Sequence, residues 1–363
     1  MNVNRVLSIG STGVESRLRT FLQGLWEQVG MKAMLAPVES PERPYVIPQV
    51  IRDPAGLTRI NPFAPFISTN AASAVAEFIN TQPQGPLAVL LRPCELRTLV
   101  ELQKRKRVQL NSGKLGDGKG FMITIGVDCP GTYPCAEFYR RVEQSGIQIV
   151  TGEALTYGPE EGAIPGDLRS ACQICDGPVP WSADLTIGTF GINPHQYLLV
   201  IARDELIDSH LALEQLTDRI ATVPEKMWRN KIIEEVFMTR SERRENLIAP
   251  DSVRRADIYS LLACFARCTL CADCLDACPL YEGELSGLLG VGGCSHRNRP
   301  ILVELVSVIR WLSSCSGCGM CEEACPQGIA LSRLVSILSR QIRAETRDTA
   351  REPENRPPGV LRV

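Results

Sequence analysis

Eight of the chain's 15 cysteines fall into two copies of one pattern, CxxCxxCxxxCP. The first copy is Cys268, Cys271, Cys274 and Cys278 before Pro279; the second is Cys315, Cys318, Cys321 and Cys325 before Pro326. In such a run three closely spaced thiolates grip one [4Fe–4S] cubane, while the fourth, set apart by an extra residue and the proline, ligates the other cluster. The spacing therefore assigns Cys268, Cys271, Cys274 and Cys325 to one cubane, and Cys315, Cys318, Cys321 and Cys278 to its neighbour. Small residues between the ligands, Ala272, Ser316, Gly317 and Gly319, let the backbone curl round an inorganic core and turn amide N–H groups toward its sulfides. Zinc would call for two CxxC pairs or for Cys with His, and His195, His210 and His296 are not placed as ligand partners. Disulfides are disfavoured because cysteines two residues apart on a tight loop are poorly set to bridge each other. Fifteen cysteines without a secretory segment point to a reducing cytoplasm, where thiolates serve metal centres.

Each cubane passes one electron at a time, at a potential tuned by hydrogen bonds to sulfur and by burial. The expected chemistry is electron transport of the ferredoxin kind. No Ser/His/Asp constellation, Walker loop or HExxH competes with it. Gly10-Ser11-Thr12-Gly13 reads either as a phosphate-cradling turn or as an ordinary βα turn. Lys104–Arg107 (KRKR) reads as an attractor for an anionic carrier or acidic partner, or as a solvated helix end.

A weaker signal lies upstream. Cys172 and Cys175 form a lone CxxC in SACQICD, to which zinc, a redox dithiol and a cluster fit equally well. Cys94 follows a strand and opens a helix in LLRPCELR, and Cys129 ends another strand in TIGVDCPGTYPC. Strand-end residues point into the crevice at the carboxyl edge of an α/β sheet, so Cys94, Cys129, Cys172 and Cys175 are predicted to converge. A buried core thiol remains open for Cys94, and Cys135 is an alternative to Cys129. Cys264 and Cys294 read as structural or spare thiols.

With 363 residues, 44% apolar and 22% charged, the chain has length for two domains. Residues 1–202 are predicted to form an α/β domain with irregular loops, 203–250 a helical linker, 251–345 an all-α (helical ferredoxin-like) dicluster domain, and 346–363 a disordered tail. Strands are expected at Val6–Ile9, Leu87–Leu91, Met122–Val127, Ile147–Val150 and Leu198–Ile201, and helices at Glu15–Val29, Ala71–Asn80 and Glu95–Lys106. Asp204–Ala221 and Glu225–Arg240 read as helices parted by Pro224, with Ser241–Glu245 as a charged hinge. The 36 residues between Cys278 and Cys315 include the apolar-periodic Ile301–Ser314, and Ile329–Ala344 repeats that pattern, which favours a helical over a β-rich ferredoxin. Trp311 and Leu312 are candidates for an exposed docking surface. A net charge of −2 suggests no nucleic-acid partner, and no apolar run approaches the ~20 residues of a membrane span.

RPCELRTLVELQK, IGVDCPGTYPC and CQICDGPVPWSADLTIGTFG resemble three signatures of the β subunits of coenzyme F420-reducing hydrogenases and formate dehydrogenases, over about residues 80–200. The resemblance implies that Cys94, Cys129, Cys172 and Cys175 bind one [4Fe–4S] cluster beside an FAD, which exchanges a hydride with NAD(P)H or a deazaflavin. Asp176, Ala183, Asp184 and Gly188 fall on the family's aspartate after the cysteine pair and on its ADxxxG pattern. Two departures stand out. The ferredoxin domain follows the flavin domain instead of preceding it, and Asn61–Val75 lacks the glycines of the family's flavin-holding stretch, leaving Asn70 as the flavin contact there. The implied protein is an iron–sulfur flavoprotein subunit of a formate dehydrogenase, hydrogenase or heterodisulfide reductase-like complex, with three clusters in series. Two alternatives are a stand-alone flavin/iron–sulfur reductase of an organic substrate and a flavin-free cluster relay and assembly scaffold.

Overall fold

The computed structural model describes residues 2–42, 45–81, 85–108, 121–156, 165–248, 263, 265–281 and 311–346. β1 (Val3–Ser8) leads through a turn to α1 (Val14–Val29), whose buried Val14, Leu18, Phe21, Leu22, Leu25 and Trp26 recur at helical spacing. Gly30, with φ 63°, supplies the left-handed residue that ends α1. The further strands are β2 (Ala33–Glu39), β3 (Val46–Ile51), β4 (Leu87–Leu91), β5 (Met122–Val127), β6 (Leu185–Gly188), β7 (Tyr197–Ala202) and β8 (Arg219–Ile220).

They form one sheet in the order β3-β2-β4-β5-β6-β7-β1-β8. At its centre β2, β4, β5 and β6 run parallel, and the remaining pairings are antiparallel. All five residues of β4 are buried, as a central strand covered on both faces requires. One face packs on α1 through Leu90, Ile125 and Leu199. The other carries Val89 and Leu91 against α2 (Val75–Thr81) and α3 (Pro93–Lys104), and this second core also takes in Leu280 and Trp311 from the cysteine-rich part.

Four sequence expectations need correction. Ile147–Val150 is not a strand but the start of α5 (Ile147–Thr156), which follows α4 (Cys135–Ser145) across Gly146. Its buried residues, Val150, Thr151, Ala154 and Leu155, lie on one helical face despite the β-branched start. Asp204–Ala221 holds only the short α7 (Glu205–His210), a 3-10 turn and the edge strand β8. The hinge at Ser241–Glu245 lies inside one continuous α8 (Val223–Ile248), with Pro224 in its first turn, where the missing N–H has no partner to lose. Finally, β2, β3 and β6 join β8 as strands beyond those expected; Pro37 and Pro48 face each other in the register of β2 and β3, and proline disguises a strand.

The described cysteine-rich part is helical, with short turns at Asp273–Asp276 and Met320–Glu323 and a longer helix at Leu331–Thr346. Most of the expected Ile301–Ser314 helix, Cys264, Cys294, His296 and residues 347–363 lie outside the described residues. Among the described residues no helix is long and apolar enough to cross a membrane.

Candidate metal centres

β4 and β5 end side by side, with Leu91 paired to Gly126, so the segments after both strands leave from the same sheet edge. After β4, Pro93 starts α3 in the position that suits proline. The Glu95 carboxylate accepts from the amides of Arg92 (2.7 Å) and Ala71 (3.0 Å), fixing Cys94 in the first helical turn. After β5, Cys129 donates its amide to Pro178 O (2.9 Å). Cys172 sits on the short helix Ser170–Gln173, and Cys175 closes the turn behind it through a 3.3 Å bond to Cys172 O. The four thiols Cys94, Cys129, Cys172 and Cys175 line one cavity, shared with Arg92, Arg169, Arg240 and, from the second CxxCxxCxxxCP run, Cys318. Cys135 does not line it; its amide donates instead to Glu323 Oε1 (2.7 Å).

Burial drives the Cys94 thiol well above the ordinary range and raises Cys129, against the pull of Arg92. Burial would raise Cys175 too, but the guanidiniums of Arg97 and Arg240 outweigh it, and this thiol lies below the usual value. Arg97 Nη2 stands 3.6 Å from Cys175 Sγ. Metal loading at such a site expels protons from buried thiols, and a nearby cation favours the thiolate that must form.

The two runs share one backbone design. Leu270 and Ala272 in the first, and Gly317 and Gly319 in the second, take positive φ of 58°, 69°, 70° and 71° at equivalent positions. The amides of Leu270 and Gly317 thereby reach Cys268 Sγ and Cys315 Sγ at 3.4 Å each. Burial raises Cys274, and the thiols acting on it are Cys325, Cys271 and Cys268. Burial likewise raises Cys321, whose thiol neighbours are Cys318, Cys315 and Cys278. Cys325 of the second run thus acts on Cys274 of the first, and Cys278 of the first on Cys321 of the second. Among the described residues no group of three His, Cys, Asp or Glu side chains is placed to hold a single metal ion.

Cys318 reaches the upstream cavity because the two parts of the chain are firmly joined. Arg97 Nε donates to Ser316 O (3.1 Å), Arg169 Nε pairs with Glu323 (3.3 Å), and Ser170 Oγ bonds Glu322. The basic run 104–107 is neither a free anion attractor nor simply a solvated helix end. Arg105 donates to Leu280 O (2.8 Å) and Ser314 Oγ (2.5 Å), while Arg107 reaches Pro279 O (3.5 Å). Trp311, expected on an exposed docking face, is half-buried; its indole N–H donates to Cys278 Sγ (3.4 Å) and its ring packs against Tyr281. None of these contacts carries a sequence signal.

The residues read as flavin contacts are also engaged within the fold. Asn70 is buried, accepting from Ala72 N (3.1 Å) and donating to Thr98 Oγ1 (3.0 Å). Asp184 ties β6 to β5 by accepting from Thr124 N and Oγ1 (2.9 and 2.7 Å), and it pairs with Arg203. Gly188 makes room for Arg229, whose guanidinium would lie 3.0 Å from an added Cβ. Asp176 pairs with Arg244 (3.3 Å).

Residues 308–330 match the family model of the 4Fe-4S binding domain, so the second cysteine run belongs to an iron–sulfur binding unit. The chain is similar to the F420-dependent formate dehydrogenase subunit beta of Methanocaldococcus jannaschii, with 22% identity over 306 residues covering 76% of this chain and 75% of that one. Among solved structures it is similar to a chain of the F420-reducing [NiFe] hydrogenase complex of Methanosarcina barkeri, at 14% identity and a TM-score of 0.49, covering 68% of this chain and 91% of that chain.

Proposed function

We propose that the chain is an iron–sulfur electron-transfer subunit of an oxidoreductase complex of the F420-dependent formate dehydrogenase or hydrogenase kind. In this reading Cys94, Cys129, Cys172 and Cys175 hold a third [4Fe–4S] cluster in series with the two held by the crossed sets. One observation carries it: Cys318 of the second run lines the same cavity as the four upstream thiols. A relay needs adjacent centres, and here one wall belongs to both. Cys268 and Cys271 are exposed, which suits the outer end of the relay to exchange with a partner subunit. When bound, the clusters supply one-electron transfer; the chain's residues fix the thiolates, exclude water and set the local charge.

The relative's dependence on F420 favours a deazaflavin over NAD(P)H as the two-electron carrier of the complex. A second reading is favoured by the engagement of Asn70 and Asp184 within the fold, namely a relay that binds no FAD. Anaerobic purification with iron, sulfide and flavin analysis tests both. Three cubanes give about 12 Fe and about 12 sulfides per chain. About eight Fe with zinc would dismiss the third cluster; full iron without flavin would favour the flavin-free relay.

A further inference from the structure

The cavity of Cys94, Cys129, Cys172 and Cys175 is lined by Arg92, Arg169 and Arg240 and by no carboxylate. Arg169 has Glu323 at 3.3 Å, whereas the Arg92 guanidinium donates to the carbonyls of Ala64 (2.6 Å) and Pro62 (3.5 Å). Arg240 is held in the same way as Arg92. It is 2% exposed, its Nη2 donates only to the carbonyls of Cys129 (3.4 Å) and Pro130 (2.8 Å), and its Nε has no hydrogen-bond partner. Among the described residues no carboxylate pairs with it. A buried guanidinium without an anion is strongly unfavourable, so the compensating negative charge must come from the group the thiols hold. A cubane on four thiolates is an anion that gains a further negative charge on reduction. Arg240, together with Arg97 behind Cys175, therefore favours the reduced form.

Building on the third cluster of the proposed function, we infer that Arg240 and Arg97 are potential-setting residues, which raise the potential of the α/β-domain centre. The test is an EPR-monitored redox titration of the full, anaerobically purified chain, with Cys94→Ser identifying the signal of the α/β-domain centre. In the wild type that signal is expected to have one of three midpoints. Arg240→Gln should lower it by about tenfold in the reduced-to-oxidised ratio at fixed potential, ~59 mV for one electron, and leave the other two in place. Arg240→Lys, which keeps the charge, should recover most of the shift. Should Arg240→Gln fail to fold, Arg97→Gln reads the same effect from the other side of Cys175. An unshifted midpoint at full iron content, or an equal fall of all three, would overturn the inference alone. About eight Fe with only two midpoints in the wild type would overturn it together with the third cluster.

Discussion

Thr98 and Ser316 share a 2.8 Å hydrogen bond across 218 positions of sequence. Thr98 lies fully buried on α3, where its hydroxyl also meets Cys94 O (3.0 Å) and accepts from Asn70 Nδ2 (3.0 Å). Ser316 stands between two ligands of the second run. One hydroxyl therefore joins the helix that carries Cys94 to the loop that carries Cys315 and Cys318.

Thr98→Val keeps the volume but removes the hydroxyl, leaving the Asn70 amide and the Ser316 hydroxyl short of a buried partner. The expected loss is ~2 kcal/mol, read as a lower urea midpoint. Amide exchange should rise in the Ser316–Gly319 loop; unchanged exchange there would mean the bond does not hold the seam.

Gly319 has φ 71°, and an added Cβ would lie 2.4 Å from Ala171 Cβ. Gly319→Ala should destabilise by ~3 kcal/mol, combining left-handed strain with overpacking. Gly328→Ala is the control, with φ 57° but nothing within 4 Å of its added Cβ. It should show the strain alone, ~1 kcal/mol, and thermal denaturation of both variants separates the two effects.

How far the sequence discloses these sites depends on range. The two cysteine runs stand out because the four cysteines of each lie within eleven residues at the spacing that cluster chemistry would dictate. Cys94 and Cys129 are legible because apolar strands stop just before them, and β4 and β5 do end beside each other. Ile147–Val150 misleads because four β-branched or apolar residues fit a strand and a buried helix turn equally well. The seam is illegible for another reason: Thr98 with Ser316, Glu323 with Cys135 N and Arg169, and Arg105 with Leu280 O are pairs that only tertiary folding brings together. Asp184 and Gly188 fall on the ADxxxG pattern, which says nothing of the packing they also serve: Asp184 joins β5 to β6, and Gly188 admits Arg229.

That admission matters because Arg229 forms a buried pair with Asp128 at 2.6 Å, and Asp128 also accepts from Thr189 N (2.8 Å) and Phe190 N (3.0 Å). Arg229→Met would strand a carboxylate with no exposure and should cost about 3 to 5 kcal/mol. Adding Asp128→Asn should recover part of the loss, because a neutral amide needs no cation. A double variant as unstable as the single one would mean that packing of Arg229 dominates.

Glu225 caps α8. It accepts from Thr222 N (2.7 Å) and Thr222 Oγ1 (2.8 Å), while Arg219 donates to both its oxygens at 2.6 and 2.9 Å. The Arg219 hydrogen bonds hold its carboxyl down at about 2, below the ~4.3 of an unfolded chain. Since the folded value is the lower one, the stabilisation is complete above pH ~4.3 and fades as pH falls toward 2. Arg219 is half exposed, so solvent screens the pair and the contribution is ~1 kcal/mol. Glu225→Gln should lower stability at pH 7 by about that amount and flatten the acid limb between pH ~4 and ~2; parallel limbs would assign the acid sensitivity to other carboxylates.

Cys278 distinguishes crossed from uncrossed ligation. It belongs by sequence to the run of Cys268, yet the thiol acting on it is Cys318, and Trp311 donates to its sulfur at 3.4 Å. Cys321 has Cys278 among its neighbours, whereas the thiols acting on Cys274 are Cys325, Cys271 and Cys268. Cys278→Ala should therefore damage the cubane of Cys315, Cys318 and Cys321, and leave that of Cys268, Cys271 and Cys274 with its fourth ligand, Cys325. Mössbauer and EPR spectra of the reduced variant read this directly when paired with Cys325→Ala, which should produce the mirror-image loss. Damage confined to the Cys268 cubane in Cys278→Ala would show that each run holds its own cluster, and would remove the exchange of ligands that ties the two centres together.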